Sequence, residues 1–354
     1  MWKPHLSDPI IPLNSIILVT GANGLIASNV IDQLLAAGYR VRGTVRNVKD
    51  NSWLISLLTE KHGAGRLEII EVKDICSPGC WNEAVRGVSG IAHVIGAVSL
   101  NAPEVDQFLE AELPAHISLL EAARAEESIK SFVFTSSAFA VWTPDARESV
   151  TLSEWDWNEK AVELARSEAP PQIKGLAPWM ALKTLLEKRI WEWVGSQELP
   201  FNFNSIVLDT VIGYCLHPRS KGIPSTTGMV KWVFDGSNRY LLDMMQPQWF
   251  IDCRDAALLY LAVLTTQGVN RERIFGFGGR YSWPEVNRIL RELYPKKDIP
   301  VMEDNGWDQT TVPNKRSGDL LRRVKLAGWT TLERSVAASA ECFVKERYFE
   351  KSIL

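Results

Sequence analysis

An α/β fold built on a parallel, doubly wound sheet is what this 354-residue chain predicts, and three observations carry the expectation. Short β-branched runs alternate with amphipathic stretches through the first half of the chain, the pattern of successive βα units. The first run passes into a helix through a glycine-rich turn. A hydrophobic content of 46% over this length supplies more core than a minimal unit needs, so one large domain with an appended lobe is expected.

Ile16 to Thr20 is an apolar run that ends in Gly21-Ala22-Asn23-Gly24, after which Ile26, Val30, Leu34 and Leu35 recur at helical spacing up to Gly38. That pattern is strand, tight turn, helix. Tyr39 to Val45 reads as the second strand, Trp53 to His62 as a helix, and Leu67 to Val72 as a third strand that runs out at Asp74. A helix over Trp81 to Arg86, a strand over Gly90 to Ile95, a helix over Ala111 to Glu126 and a strand over Ser131 to Phe134 continue the alternation, the last ending in Thr135-Ser136-Ser137. The polar stretch Thr143 to Gly175 reads as a flap or lobe ahead of a helix from Pro178 to Trp193. Beyond it, Phe203 to Ile212 predicts one more buried strand, Gly213 to Gln248 an irregular segment with a helical piece at Met229 to Phe234, Asp252 to Thr265 a helix, and Arg273 to Phe277 a strand. Helical patterns over Trp283 to Leu293, Gly318 to Leu326 and Thr331 to Glu346 form the end. The division that follows is a nucleotide-binding domain over 1–204, to which 250–280 return, and a smaller, mainly helical C-terminal substrate-binding lobe over 205–249 and 281–354.

Composition excludes several classes of partner. Net charge is -3, pI is near 6.0, and basic residues are interspersed with acidic ones, which argues against nucleic acid or an anionic membrane surface. A small-molecule substrate is the partner expected, with the chain a monomer or homodimer. The five cysteines are odd in number, and Cys76 and Cys80 enclose Ser77-Pro78-Gly79 with no second ligand pair nearby, so neither a disulfide framework nor a metal site is expected. Residues 1–15 show no basic segment followed by an apolar one, and no run approaches the roughly 20 apolar residues of a membrane span, which reads as cytoplasmic. Tryptophans number fourteen. Among them Trp142, Trp155, Trp157, Trp179, Trp191, Trp193, Trp232 and Trp249 fall after Ser137, as core or as walls of an apolar substrate cavity.

Thr20-Gly21-Ala22-Asn23-Gly24-Leu25-Ile26-Ala27, set between a strand and a helix, lets backbone approach a pyrophosphate at the helix N-terminus; Ala27 permits close helix–strand packing. Thr20, Gly21, Asn23, Gly24, Leu25 and Ile26 are therefore candidate cofactor residues of a Rossmann-type sheet. The second strand ends in Thr44-Val45-Arg46-Asn47 with Lys49 beyond and no acid at the strand end. A carboxylate there would bond a free ribose 2′-hydroxyl, whereas Arg46 and Lys49 suit a 2′-phosphate, which favours NADP(H). Asp74 and Ile75 are placed to bracket the adenine.

Together with Phe132-Val133-Phe134-Thr135-Ser136-Ser137-Ala138, Lys73-Asp74-Ile75 and a helix containing Lys183, these motifs resemble the extended short-chain dehydrogenase/reductase superfamily. Within it the chain is similar to the dihydroflavonol-reductase-like branch and most of all to fungal NADPH-dependent aldehyde and ketone reductases, over nearly its whole length. The resemblance implies that a Ser, a Tyr and a Lys do the chemistry. The serine maps to Ser137, with Ser136 the lesser choice, and Lys183 would hold the nicotinamide ribose. The tyrosine position is Trp179, the small residue usual before the lysine is Leu182, and the proline usual near the nicotinamide is Asp209. A single substitution would account for Trp179 but not for all three departures.

An indole N–H donates a hydrogen bond but does not ionise near neutral pH, so the usual proton donor is missing. One consequence is a reductase that works differently, with Asp209, Tyr214, His116 or His217 supplying the proton, or with a conjugated or iminium carbon as the acceptor and Asp209 stabilising the cation. The alternatives are a non-redox cyclase, isomerase or dehydratase on the reductase scaffold, and a catalytically silent NADP-binding protein. Ser137, Lys183, Trp179 and Asp209 are the candidate catalytic residues.

Overall fold

A computed structural model describes residues 3–96, 105–216 and 225–350. Seven strands form one all-parallel sheet: β1 Ile16–Val19, β2 Arg40–Val45, β3 Leu67–Glu71, β4 Gly90–His93, β5 Ser131–Ser137, β6 Asn202–Leu208 and β9 Arg273–Gly276, in the order β3-β2-β1-β4-β5-β6-β9. Strand order reverses between β1 and β4, the switch point at which doubly wound sheets bind ligands beyond their carboxyl ends. A second, three-stranded sheet joins β7 Thr210–Ile212, β8 Gln248–Asp252 and β10 Gly279–Tyr281 in the order β10-β8-β7.

The faces of the large sheet are covered as the sequence pattern requires. Helix Leu25–Ala37 ends at Gly38, whose φ of 106° provides the left-handed stop. It packs on helix Cys253–Thr265, which is buried on every side and accordingly apolar around its circumference. On the other face, helix Val105–Arg124 lies against helix Ala177–Ser196. Val105, Leu109, Glu112, His116, Leu119 and Ala123 make one buried stripe at three- and four-residue spacing, which is why this helix begins six residues before the predicted Ala111.

Several expectations need correction. Phe203 to Ile212 is two strands in different sheets, because the chain turns at Asp209, whose Oδ1 accepts the Thr210 N–H at 2.6 Å. The boundary after residue 204 therefore cuts β6. The polar stretch Thr143 to Gly175, read as a flap or lobe, holds helix Glu159–Arg166, started by Asn158 Oδ1 accepting the Ala161 N–H at 3.1 Å, and a short turn Pro171–Lys174. Strands β8 and β10 had no sequence expectation, and helix Lys315–Val324 joins the core around helix 253–265 instead of the lobe. Ile212, Val230, Tyr281, Trp283 and Val336 of the lobe form a separate core, which Phe250 of β8 joins.

Candidate active site

The glycine-rich turn is shaped by contacts that leave no room for side chains. Gly21 lies at φ +67°, and a Cβ there would meet Ile95 Cγ1 at 2.8 Å, so both conformation and space demand glycine. Its N–H donates to Thr44 Oγ1 at 3.3 Å and the Ala22 N–H to the Thr44 carbonyl at 2.9 Å, lashing the turn to β2. Gly24 begins helix Leu25–Ala37 with no side-chain cap, which leaves first-turn amides around buried Leu25 and half-buried Ile26 for an anion. Asn23 Nδ2 donates to Asn51 Oδ1 at 2.9 Å, and Asn51 in turn to the Asn47 carbonyl at 2.6 Å, tying the turn to the segment after β2.

Arg46 is the first residue beyond β2 and Lys49 opens a 3₁₀ turn; both are exposed, and neither has an ion pair among the described residues. Asp74, also exposed, accepts the Cys76 N–H at 2.9 Å and the Ser77 hydroxyl at 3.1 Å, closing the turn that carries half-buried Ile75. An uncapped helix start, a glycine where a Cβ would collide, and exposed cations at the end of β2 together fit a phosphorylated dinucleotide. Thr20 turns its side chain inward: it is fully buried, and Oγ1 accepts the N–H groups of Val94 (2.9 Å) and Ile95 (3.1 Å).

Ser137 ends β5 and pairs in register with Leu208, so it stands beside the Asp209 turn. Its Oγ accepts the Phe139 N–H at 3.3 Å, leaving the hydroxyl proton to donate. Ser136 is buried and donates to Glu187 Oε2 at 2.7 Å, which removes it from the chemistry. In the first turn of helix 177–196, Trp179 packs edge-on to Phe139, and its buried indole N–H finds no acceptor among the described residues. The Lys183 ammonium lies 5.7 Å from the Trp179 ring, and a Cβ on Gly96 would come within 3.3 Å of it, which sets Lys183 at the exit of β4. Burial pulls its pKa down, and the Glu112 carboxylate opposes that. Leu182 is fully buried core.

Asp209 keeps some exposed surface yet is ringed by protein atoms. Oδ1 accepts the N–H and hydroxyl of Thr210, and Oδ2 accepts the Trp249 N–H at 3.1 Å. Burial dominates these bonds and pushes its pKa up to about 8, with Asp308 adding to the rise. His116 is not turned to this corner: it sits in a buried chain with His93 and Glu112. Tyr214 is partly exposed, with its carbonyl bound by Asn29, and His217 lies outside the described residues. Six of the tryptophans named above fall in two places. Trp142, Trp179 and Trp249 stand near the strand ends, whereas Trp155, Trp157 and Trp191 line a separate cavity of about 330 Å³ beside Arg273. The described residues contain no His, Cys, Asp or Glu group able to hold a metal, and no helix long and apolar enough to cross a membrane.

Residues 17–158 match the model of the NAD dependent epimerase/dehydratase family. The chain is 32% identical to aldehyde reductase 2 of Sporidiobolus salmonicolor, over 94% of this chain and 96% of that one. The chain belongs to the extended short-chain dehydrogenases/reductases. Ketoreductase adrE of Penicillium roqueforti is another family relative, 33% identical over 92% of this chain and 96% of that protein. Among solved structures, Gre2 of Candida albicans in complex with NADPH superposes with a TM-score of 0.79 at 22% identity, covering 94% of this chain and 99% of the other. Vestitone reductase of alfalfa superposes at 0.74 with 21% identity, covering 94% and 99%.

Sequence reasoning missed Thr44, whose hydroxyl fixes the turn, and the pairing of His93 and Glu112 with His116. Glu112 and His116 are four apart, a helix-face spacing open to reading. His93 had no such signal, because only the sheet brings it beneath Thr20.

Proposed function

We propose that this protein is an NADP(H)-dependent oxidoreductase that reduces a carbonyl, conjugated or iminium carbon of an apolar small molecule without a phenolic acid. The observation that carries the reading is the Trp179 corner: an unpartnered buried indole N–H beside Lys183, within a family whose nucleotide turn is retained. Arg46 and Lys49, exposed at the end of β2 and without an ion pair among the described residues, support NADP(H) over NAD(H). The names of the fungal relatives, an aldehyde reductase and a ketoreductase, support reduction of a carbonyl.

A bound reduced nicotinamide supplies hydride. The Lys183 ammonium holds the ribose hydroxyls, and the backbone of Gly21 to Ile26 holds the pyrophosphate. The Ser137 hydroxyl and the Trp179 N–H donate hydrogen bonds to the substrate oxygen, which orients it and polarises the reacting carbon. Asp209 remains protonated up to about pH 8, so it carries a transferable proton at neutrality where a tyrosine is absent. With an iminium acceptor that proton is unnecessary, and an ionised Asp209 balances the cation instead.

The test is NADPH oxidation followed at 340 nm with a panel of ketones, aldehydes and cyclic iminium ions, with products identified by mass spectrometry. Stoichiometric NADPH loss and product formation are expected. Product formed without nicotinamide oxidation would replace this reading with a non-redox cyclase, isomerase or dehydratase, and tight NADP(H) binding with no product from any substrate would make the chain a silent binder.

A further inference from the structure

Beneath the glycine-rich turn runs a chain of four buried side chains whose proton positions the geometry fixes. Thr20 Oγ1 already accepts two backbone N–H groups, from Val94 and Ile95, so both of its lone pairs are occupied. Its hydroxyl proton must therefore donate to His93 Nδ1, 2.9 Å away. With Nδ1 an acceptor, neutral His93 carries its proton on Nε2, which lies 2.7 Å from His116 Nδ1. His116 thus also accepts on Nδ1 and holds its proton on Nε2, which faces Glu112 Oε1 at 3.3 Å. Burial and the facing His116 ring keep the pKa of His93 far below that of a free histidine, which agrees with a neutral ring. Every donor points the same way, from the nucleotide turn to a carboxylate.

That carboxylate lies on helix 105–124, which packs against the helix bearing Lys183, and its charge opposes the effect of burial on the ammonium. Of the charged side chains of the other neighbouring helix, Glu159–Arg166, Glu159 pairs with Lys188, Lys160 with Glu148 and Arg166 with Asp106, and Glu163 is exposed. We propose that Glu112 is a positioning residue, oriented by the directional chain Thr20–His93–His116, and that it keeps Lys183 a cation where the cofactor ribose is held. A lysine that usually neighbours a phenol here has an acid four residues from a histidine instead. The inference rests on the proposed reading only in taking Lys183 as the ribose anchor.

The experiment has two arms on the full chain. Selective ¹⁵N-imidazole labelling without cofactor should show His93 and His116 both as Nε2–H tautomers, with the His93 ring neutral throughout the neutral range. In the second arm NADPH affinity is titrated against pH by fluorescence. Affinity should fall at alkaline pH as Lys183 loses its proton, and Glu112→Gln, which keeps an acceptor for His116, should move that midpoint down by about one to three pH units. Glu112→Asp should restore most of the shift. An Nδ1–H tautomer at His116, or an unchanged midpoint in Glu112→Gln, overturns the proposal. Absence of NADPH binding in the unaltered chain at every pH would sink the reductase reading and the ribose role with it, while the tautomers would still decide the hydrogen-bond chain.

Discussion

Glu187 and Asp209 are two enclosed carboxylates, and their surroundings give them opposite roles. Glu187 receives five hydrogen bonds: from Ser136 (2.7 Å), Ser205 (2.8 Å), Trp191 (3.2 Å) and two edges of the Arg273 guanidinium (3.1 and 2.8 Å). Arg273 is itself stacked 3.9 Å over Trp157 and bonded to the carbonyls of Glu154 and Asp156. This fully paired centre locks the helix of Trp179 and Lys183 onto β5, β6 and β9. Asp209 receives two backbone N–H groups and a hydroxyl, has no cation among the described residues, and feels Asp308. The contrast teaches that, on this scaffold, a compensated acid joins elements and an uncompensated one keeps its proton into the neutral range.

Removing the compensated acid should have the largest effect. Glu187→Leu leaves a buried guanidinium without its counter-charge and should cost about 3–5 kcal/mol in urea unfolding, while adding Arg273→Met should recover most of that loss. Wild-type stability in the single variant would mean that water reaches Arg273.

Asp209 tests the other half. Asp209→Asn should lower kcat by about 10²–10⁴, the usual worth of general acid catalysis. The unaltered enzyme should lose kcat as pH rises through about 8, because the ionised carboxylate has no proton to give, and the variant should lack that limb. Stability offers an independent check with a definite sign. The folded pKa lies above the unfolded carboxylate value of 3.8, so the contribution of Asp209 is complete below about pH 4 and is lost as pH rises through about 8. Unfolding free energies should therefore show the unaltered chain losing ground to Asp209→Asn by up to about 1.4 kcal/mol per pH unit across that window.

The same distinction separates two arginines. Arg273 is paired and stacked, whereas Arg46 is exposed at the end of β2 and without an ion pair among the described residues. Arg46→Ala should weaken NADPH binding by roughly 10- to 100-fold, as expected for a charge-assisted contact worth about 1.5–3 kcal/mol, and leave NADH nearly unchanged. Equal losses for both cofactors in fluorescence titrations would remove Arg46 from the 2′-phosphate.

What the sequence made legible was whatever depends on neighbours in the chain. The turn at Gly21 to Gly24, the helix stop at Gly38 and the alternation of β1 to β5 follow from local spacing, and each stands where expected. The break at Asp209 was hidden because Leu208 and Thr210 belong to one apolar run; only the two backbone donors, one of them from Trp249, reveal why the chain turns there. Glu187 looked like any helix acid, since its partners come from β5, β6 and β9. The Trp179 anomaly was readable as a missing phenol, but not as a buried N–H without an acceptor, which is a property of the space around it.

The smallest effect belongs to a comparison of two indoles. Trp249 Nε1 donates to Asp308 Oδ1 at 3.1 Å, whereas the Trp179 N–H has no acceptor among the described residues. A buried donor without a partner carries a desolvation cost that a ligand oxygen would relieve, so the contribution of Trp179 should appear only when substrate binds. Trp179→Phe should raise KM for substrate by roughly two- to tenfold, the worth of a neutral hydrogen bond of about 0.5–1.5 kcal/mol, and leave NADPH affinity unchanged. Trp179→Tyr places a phenol beside Lys183 and should increase turnover of simple ketones. If Trp179→Phe instead lost NADPH affinity with KM untouched, the indole would be a wall of the nucleotide cleft and the substrate oxygen would have to be held by Ser137 alone.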